Sequence, residues 1–253
     1  MTGAVTTACE DPRVSDAARW IQLFLDVRRE DAASEREFWA AATGWTLSPP
    51  RGENDQFVTL IPEHGTPWLK MQSVDGDPGV HLDLDAEDRE AAVALSTSLG
   101  ATHEWTFEGV PVMRSPGGFV FCHTLLDNGE HVPPRSGTAV LDQVCLDIPP
   151  SQWEGEIAFW AELTGRTPEE GALPQFRRLV GEGMRILLQR LDDEQESVTA
   201  HPDIATLDRT AQTVRHVELG ARLHGVHDFW TVLESPGGQV YCLTDRNPAT
   251  GAR

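Results

Sequence analysis

The sequence lacks the features of several protein classes. No apolar stretch approaches the ~18 residues of a membrane-spanning helix, and no basic start followed by an apolar block marks a secretory signal. Lys and Arg number 20 against 40 Asp and Glu, which gives a net charge of −20. Phosphate backbones and anionic membrane surfaces would be repelled by this charge. We therefore expect neither a nucleic-acid nor a membrane partner.

Cysteine is also scarce. The four cysteines include no Cys-x-x-Cys pair, so the sequence predicts neither a disulfide framework nor a zinc knuckle. This usage is typical of a reducing compartment, and we expect a cytoplasmic protein. The acidic excess is typical of a solvated surface, and it suits a cationic or neutral ligand better than an anionic one.

The chain contains an internal repeat. A shift of 120 residues brings His81 onto His201 and keeps the two copies aligned as far as residue 244. Between residues 81 and 124, 16 of the 44 aligned positions are identical, including the Ser-Pro-Gly-Gly turn at 115–118. A repeat of this length predicts two tandem domains, each long enough to bury its own core.

Hydrophobic periodicity and turn residues predict the organisation of each domain. Strands with period-two alternation and amphipathic helices follow the order of two βαβββ units per domain, an α+β class. The expected segments are a flexible tail over 1–18, a first domain over 19–125, a linker over 126–138, a second domain over 139–244 and a tail over 245–253.

Several motifs resemble those of the vicinal oxygen chelate superfamily, which includes glyoxalases, bleomycin resistance proteins and dioxygenases. With their second-half copies, they are Phe38-Trp39-x-x-x-Thr43-Gly44, His81-Leu82-Asp83-Leu84, Leu99-Gly100-Ala101 and Ser115-Pro116-Gly117-Gly118. The resemblance implies two tandem glyoxalase-like domains, in each of which a curved mixed sheet forms a cup with the helices outside. It implies no single activity, since this fold hosts lyases, isomerases, dioxygenases and drug-sequestering proteins.

Strand alternation then predicts which side chains face each cup. If the more apolar face of a strand meets the helices, the other face lies toward the cup. The ligand-binding residues predicted in this way are Gln22, Phe24, Asp26, His81, Asp83, Asp85 and Cys122 in the first domain, and Gln143, Asp147, His201, Asp203 and Cys242 in the second. The first cup is expected to be the functional one, because it keeps the full His-x-Asp-x-Asp face.

The resemblance also implies a metal site on four strands. The corresponding positions hold Gln22, Lys70, His81 and Cys122 in the first domain, and Gln143, Leu187, His201 and Cys242 in the second. Neither set has the glutamates that the family uses, and Lys70 would repel a cation. We therefore expect no metal and no cofactor. Gln22, His81 and Cys122 stay weak candidate ligands for a divalent ion such as Zn, Fe, Ni or Mn, and His81 with Cys122 a weak candidate catalytic pair.

Three functions stay open. The first is a metal-free protein that binds a small aromatic or cationic molecule in one cup, as the eight tryptophans and the scattered carboxylates favour. The second is a divalent-metal-dependent lyase, isomerase or dioxygenase. The third is a non-catalytic interaction scaffold whose cups are filled by side chains. A monomer or a homodimer is compatible with each.

Overall fold

The computed structural model describes residues 16–252 and contains four βαβββ units, two in each half. The first half consists of β1 (Trp20–Arg28), α1 (Ala32–Thr43), β2 (Thr46–Leu47), β3 (Phe57–Ile61), β4 (Leu69–Val74), β5 (Gly79–Ala86), α2 (Arg89–Ser98), β6 (Thr102–Phe107), β7 (Val110–Arg114) and β8 (Val120–Leu125). The second half consists of β9 (Ala139–Ile148), a 3₁₀ turn (Pro150–Gln152), α3 (Trp153–Thr164), β10 (Thr167–Glu170), β11 (Phe176–Val180), β12 (Arg185–Arg190), β13 (Thr199–Thr206), α4 (Arg209–Glu218), β14 (Arg222–Val226), β15 (Trp230–Glu234) and β16 (Val240–Asp245).

Each half forms one eight-stranded mixed sheet with the same strand order. The order is β2-β3-β4-β1-β5-β8-β7-β6 in the first half and β10-β11-β12-β9-β13-β16-β15-β14 in the second. The two βαβββ units of a half meet where β1 pairs antiparallel with β5, in a register that sets Phe24 opposite His81. The predicted α+β class with two tandem domains is confirmed. Within the described part of the chain, no helix has the length and apolar character needed to cross a membrane.

Alternation along the central strands separates a core face from a cup face. On β1, the core-facing residues Ile21, Leu23 and Leu25 are almost fully buried. Their neighbours Gln22 and Asp26 are only partly buried, because successive side chains of a strand point to opposite sides of the sheet. This arrangement covers one side of each sheet with helices and leaves the other side open.

The cores of the two halves are continuous with each other. The buried apolar residues of both halves form a single cluster. Helix α1 packs against the second sheet, where the rings of Trp39 and Tyr241 lie 5.1 Å apart. Helix α3 packs reciprocally against the first sheet, with Trp160 5.5 Å from Phe121. Each sheet is thus covered in part by a helix of the other half.

Two buried glutamates bind the Ser-Pro-Gly-Gly turns of the opposite half. Glu35 on α1 accepts hydrogen bonds from Ser235 Oγ at 2.8 Å and from Gly237 N at 2.7 Å. Glu156 on α3 accepts one from Gly117 N at 2.7 Å and one from the Trp160 indole at 2.8 Å. A serine suits the first turn position because it donates to the glutamate, whereas an aspartate there would repel it.

Parts of the predicted tails and linker pack against the domains. Residues 1–15 of the predicted N-terminal tail lie outside the described residues, but Ala17 and Ala18 are buried. In the predicted linker, Val132 O accepts a hydrogen bond from Thr66 N at 2.6 Å. In the predicted C-terminal tail, Thr250 O accepts one from Arg185 Nη2 at 2.8 Å. The folded part of the chain therefore extends past the predicted boundaries at both ends.

The glutamate contacts give a first prediction. Replacement of Glu156 by Ala removes the acceptor of two buried donors, and we expect the free energy of unfolding to fall by about 3 kcal/mol. Urea denaturation of the full chain measures the change. The matched control is Glu162→Ala, an exposed glutamate on the same helix, which should change stability by less than about 0.5 kcal/mol. Equal losses in the two variants would contradict the assigned role of Glu156.

A second prediction concerns the buried His216 on α4. Its Nδ1 lies 2.8 Å from Tyr241 Oη, and burial together with the nearby Arg215 lowers its pKa from 6.5 to about 4. Between these values the unfolded chain binds a proton that the folded chain does not, so stability falls as the pH falls from 6.5 to 4.

We expect His216→Gln to remove about 3 kcal/mol of this pH-dependent loss, as measured by urea denaturation at each pH. The exposed His103→Gln variant is the control and should keep the wild-type pH dependence. An unchanged slope in His216→Gln would rule out this histidine as its source.

Candidate functional site

Each sheet encloses an open cavity on its cup side. The cavity of the first half, cup 1, is about 600 Å³ and that of the second half, cup 2, about 500 Å³, within the usual range for small-molecule sites. Cup 1 is lined by Phe24, Asp26, Arg51, Phe57, Lys70, Gln72, Val74, Gly79, Val80, His81, Asp83, Trp105, Phe107, Glu108, Val110, Val112, Val120, Cys122 and Thr124. Since both cups are open, the scaffold hypothesis loses its premise that side chains fill them.

The structure places five of the seven predicted residues of the first domain on the wall of cup 1. They are Phe24, Asp26, His81, Asp83 and Cys122. Gln22 and Asp85 bond to each other instead, with Gln22 Nε2 donating to Asp85 Oδ2 at 2.6 Å, and Thr124 Oγ1 donates to the other oxygen of Asp85. These two side chains are not among the lining residues of the cavity, although Thr124, which bonds to Asp85, is one of them.

Cup 2 repeats this arrangement with differences. Gln143, His201, Asp203 and Cys242 line its cavity, whereas Asp147 does not. The carboxylate of Asp147 lies 2.7 Å from Nδ1 of His201 and orients that ring. Further lining residues of cup 2 that the sequence analysis did not identify are Arg178, Gln189, Phe229, Arg246, Gly251 and Ala252.

His81 is the central polar residue of cup 1. Its Nδ1 lies 2.8 Å from Asp26 Oδ2, and its Nε2 lies 3.9 Å from Asp83 Oδ1. The ring stacks on Phe24 at a centroid distance of 4.6 Å and an interplanar angle of 14°. Burial opposes the charged form, but the facing carboxylates outweigh it and raise the pKa of His81. The facing carboxylates therefore stabilise the imidazolium form of His81.

The same environment disfavours a nucleophilic cysteine. Burial, with Asp83 nearby, raises the pKa of the Cys122 thiol, so the thiolate needed for attack is suppressed. The geometry thus gives no support to the predicted catalytic pair of His81 and Cys122.

The ligand positions implied by the superfamily do not suit a metal ion. Gln22 is bonded to Asp85 and does not line the cavity, and Lys70 brings a positive charge. A different group is geometrically compatible, since one donor atom from each of His81, Asp83 and Cys122 lies within 4.8 Å of the other two. Binding there would require both His81 and Cys122 to release a proton.

The second half contains an equivalent donor group. His201, Asp203 and Cys242 each offer one ligand atom, again within 4.8 Å of one another. Among the described residues, Asp203 Oδ1 is buried and has no hydrogen-bond partner. Cys145, Asp147 and His201 form an overlapping group. Nitrogen, oxygen and sulfur donors of this kind suit a zinc-like ion.

Most of the basic and aromatic residues on the β3–β4 side of cup 1 were not predicted from the sequence. Lys70 on β4 is the only lysine of the sequence, a compositional signal that marks this position. Its Nζ lies 5.2 Å from the ring centroid of Phe24. Arg51 donates hydrogen bonds to Ser48 Oγ at 2.9 Å and Thr59 Oγ1 at 2.8 Å. Lys70 lies on β4, the strand next to β1, where its register partner is Phe24.

The comparison with protein families identifies the class. The glyoxalase-like domain family model matches residues 22–124 and again residues 143–244. The chain belongs to this family, as a tandem pair of glyoxalase-like domains within the vicinal oxygen chelate superfamily. No curated protein matches the chain.

Solved structures share the fold at low sequence identity. A Mn(II)-bound glyoxalase from Novosphingobium aromaticivorans is 17% identical over 90% of this chain and 82% of its own, with a TM-score of 0.58. A mutant of 4-hydroxymandelate synthase from Streptomyces coelicolor is 14% identical over 93% and 94%, with a TM-score of 0.61. This chain spans about half (49%) of a xylose isomerase-like TIM barrel/4-hydroxyphenylpyruvate dioxygenase fusion protein, at 13% identity, 92% coverage of this chain and a TM-score of 0.60.

Proposed function

We propose that the protein binds a small organic molecule with an aromatic part in cup 1, and that this binding needs no metal ion. The observation that carries the proposal is the continuous aromatic lining of an open cavity. Phe57 lies 6.4 Å from Phe24 and 6.2 Å from Phe107, so the rings connect β1, β3 and β6 across the cup. Offset and edge-on contacts of this kind favour a planar ligand.

The mouth of cup 1 is apolar as well. Trp105 is 50% exposed and Phe107 42% exposed, although both line the cavity. Large aromatic side chains at the rim of a cavity are typical of binding sites, because a ligand removes them from water. A bound aromatic molecule would bury these exposed rings, and this burial would contribute to its affinity.

The state of the polar groups supports binding without a metal. His81 already contacts Asp26 and faces Asp83, its raised pKa favours the imidazolium, and the Cys122 thiol keeps its proton. Lys70 adds a further positive charge to the same cavity. The positive charges in this arrangement would repel a divalent cation.

Cup 2 is a weaker candidate because the C-terminal segment approaches it. Gly251 and Ala252 line its cavity, and Arg246 donates to both oxygens of Asp142, at 2.6 and 3.1 Å. This bidentate pair holds the segment against the sheet. Less of cup 2 is therefore available to a ligand.

A third prediction tests the proposal by filling one cup at a time. Isothermal titration calorimetry of the full chain against a panel of planar aromatic compounds should yield at least one saturable 1:1 complex. We expect Val110→Trp, which places a large side chain in cup 1, to weaken that complex at least tenfold. The matched variant Leu187→Trp in cup 2 should leave it unchanged. A complex that responds only to Leu187→Trp, or a panel without any binder, would contradict the proposal.

A metal-dependent enzyme of the superfamily is a second candidate function. Asp203 Oδ1 favours it, because this atom is buried beside His201 and Cys242 and accepts no hydrogen bond, with His201 Nε2 3.5 Å away. A bound divalent ion would act there as a Lewis acid, while Asp147 would hold the orientation of His201.

The fourth prediction separates the two candidates. If the metal-free account holds, purified protein from zinc- and manganese-supplemented medium should contain less than about 0.1 equivalent of metal per chain, and Co²⁺ should give no thiolate charge-transfer band. Stoichiometric metal that is lost in Cys242→Ser and retained in the matched Cys122→Ser would instead establish a metal site in cup 2.

A further inference from the structure

We infer that cup 1 selects an anionic aromatic ligand, an aryl carboxylate, whose carboxylate group contacts the ammonium of Lys70. This inference rests on the proposed function and specifies the charge of the ligand. It reverses the preference for a cationic or neutral ligand that the acidic composition indicated.

Lys70 is a cation inside the cavity without a direct carboxylate partner. Its side chain is half-buried and lines cup 1, yet within residues 16–252 no carboxylate oxygen lies within 4 Å of its Nζ. All other basic residues of the sequence are arginines. An ammonium group held near an aromatic ring and without a carboxylate partner is available to an incoming anion.

The carboxylates near Lys70 have contacts of their own within the cup, although Asp26 Oδ1 is buried without a hydrogen-bond partner. Asp26 pairs with His81 at 2.8 Å, and Asp83 faces the other nitrogen of that ring at 3.9 Å. Asp85 accepts hydrogen bonds from Gln22 and Thr124. The acidic face that predicted a cationic ligand is thus engaged in contacts within the cup, and Lys70 would repel a cation.

A second cation lies on the same wall. Arg51 bonds through its guanidinium to Thr59 Oγ1, and Thr59 is the cross-strand partner of Lys70 in the β3–β4 register. Glu108, the remaining acid of the lining, belongs to the β6–β7 turn and directly follows Phe107. The charges thus give cup 1 a positive wall at β3–β4.

The net charge of −20 does not prevent this selection. At 0.15 M salt the screening length is about 8 Å, so distant surface acids act weakly on a charge inside the cup. Lys70 acts at contact distance in a partly desolvated site, where attraction is stronger. Arginine or lysine at such a position commonly decides which sign of charge a site accepts.

The second half offers a matched control. Leu187 on β12 takes the place that Lys70 has on β4, as each strand pairs in parallel with the first strand of its half. The basic residues of cup 2 are paired, with Arg178 bound to Glu169 at 2.9 Å and Arg246 to Asp142 at 2.6 Å. Selection for an anion is therefore specific to cup 1.

The single lysine allows a direct test on the full chain. Reductive methylation with ¹³C-formaldehyde keeps the positive charge and gives one side-chain dimethyl-lysine NMR signal besides that of the N-terminus. The probes are 2-naphthoate, its neutral analogue 2-naphthamide and its cationic analogue 2-naphthylmethylamine. We expect 2-naphthoate to shift the Lys70 signal and to bind at least tenfold more tightly than either analogue, as measured by calorimetry on unmodified protein.

Variants complete the test. Lys70→Met should abolish the preference for 2-naphthoate over 2-naphthamide. Lys70→Arg should retain the preference, and Leu187→Met should behave as wild type. Equal binding of the three probes, or tighter binding of the amine, would contradict the selection for an anion but not the aromatic binding site in cup 1. Binding of none of them would overturn both proposals.

Discussion

The reciprocal packing of α1 and α3 against the opposite sheets is the constraint on which the rest of the structure depends. Trp39 and Trp160 are fully buried in contacts between the halves, and truncation of such side chains typically costs about 3–5 kcal/mol. Because these helices cover one face of each sheet, the opposite face stays open as a cup. Glu35 and Glu156 fix the same helices to the turns that precede β16 and β8.

Charge compensation within the cups follows from this burial. The sheet holds His81 and Asp83 on one strand and Asp26 on its neighbour, so the imidazolium lies between two carboxylates. Isolated buried charges would be costly, and this pairing offsets the cost. Lys70 has no such carboxylate partner among the described residues. In the proposed account, this difference gives cup 1 its preference for an anion.

Much of the fold could be predicted from the sequence, because a 120-residue repeat and period-two alternation fix the strands and their faces. Alternation placed Phe24 and His81 on the cup side correctly. It could not place Gln22 and Asp85, since alternation gives the side of a sheet but not the position along the cavity. Alternation also could not predict that α1 packs on the second sheet, because an apolar helix face does not specify which sheet it contacts.

Contacts between residues far apart in the sequence account for the remaining differences between the predicted and the observed structure. The C-terminal segment reaches cup 2 through Arg246 and Asp142, which are 104 positions apart in the chain, and no local pattern indicates such a pair. Lys70 is a different case from the Arg246–Asp142 pair. Its uniqueness was visible in the composition, but its importance depends on the absence of a carboxylate partner within the described residues, which only the three-dimensional arrangement shows.

The most direct measurement for the central claim is a crystal structure of the full chain soaked with 2-naphthoate. The account predicts electron density for the ring beside Phe24 and Trp105, with the carboxylate against Lys70 Nζ and no metal between His81, Asp83 and Cys122. Density for the compound in cup 2 with cup 1 empty, or a metal ion bound to His81 and Cys122, would contradict it.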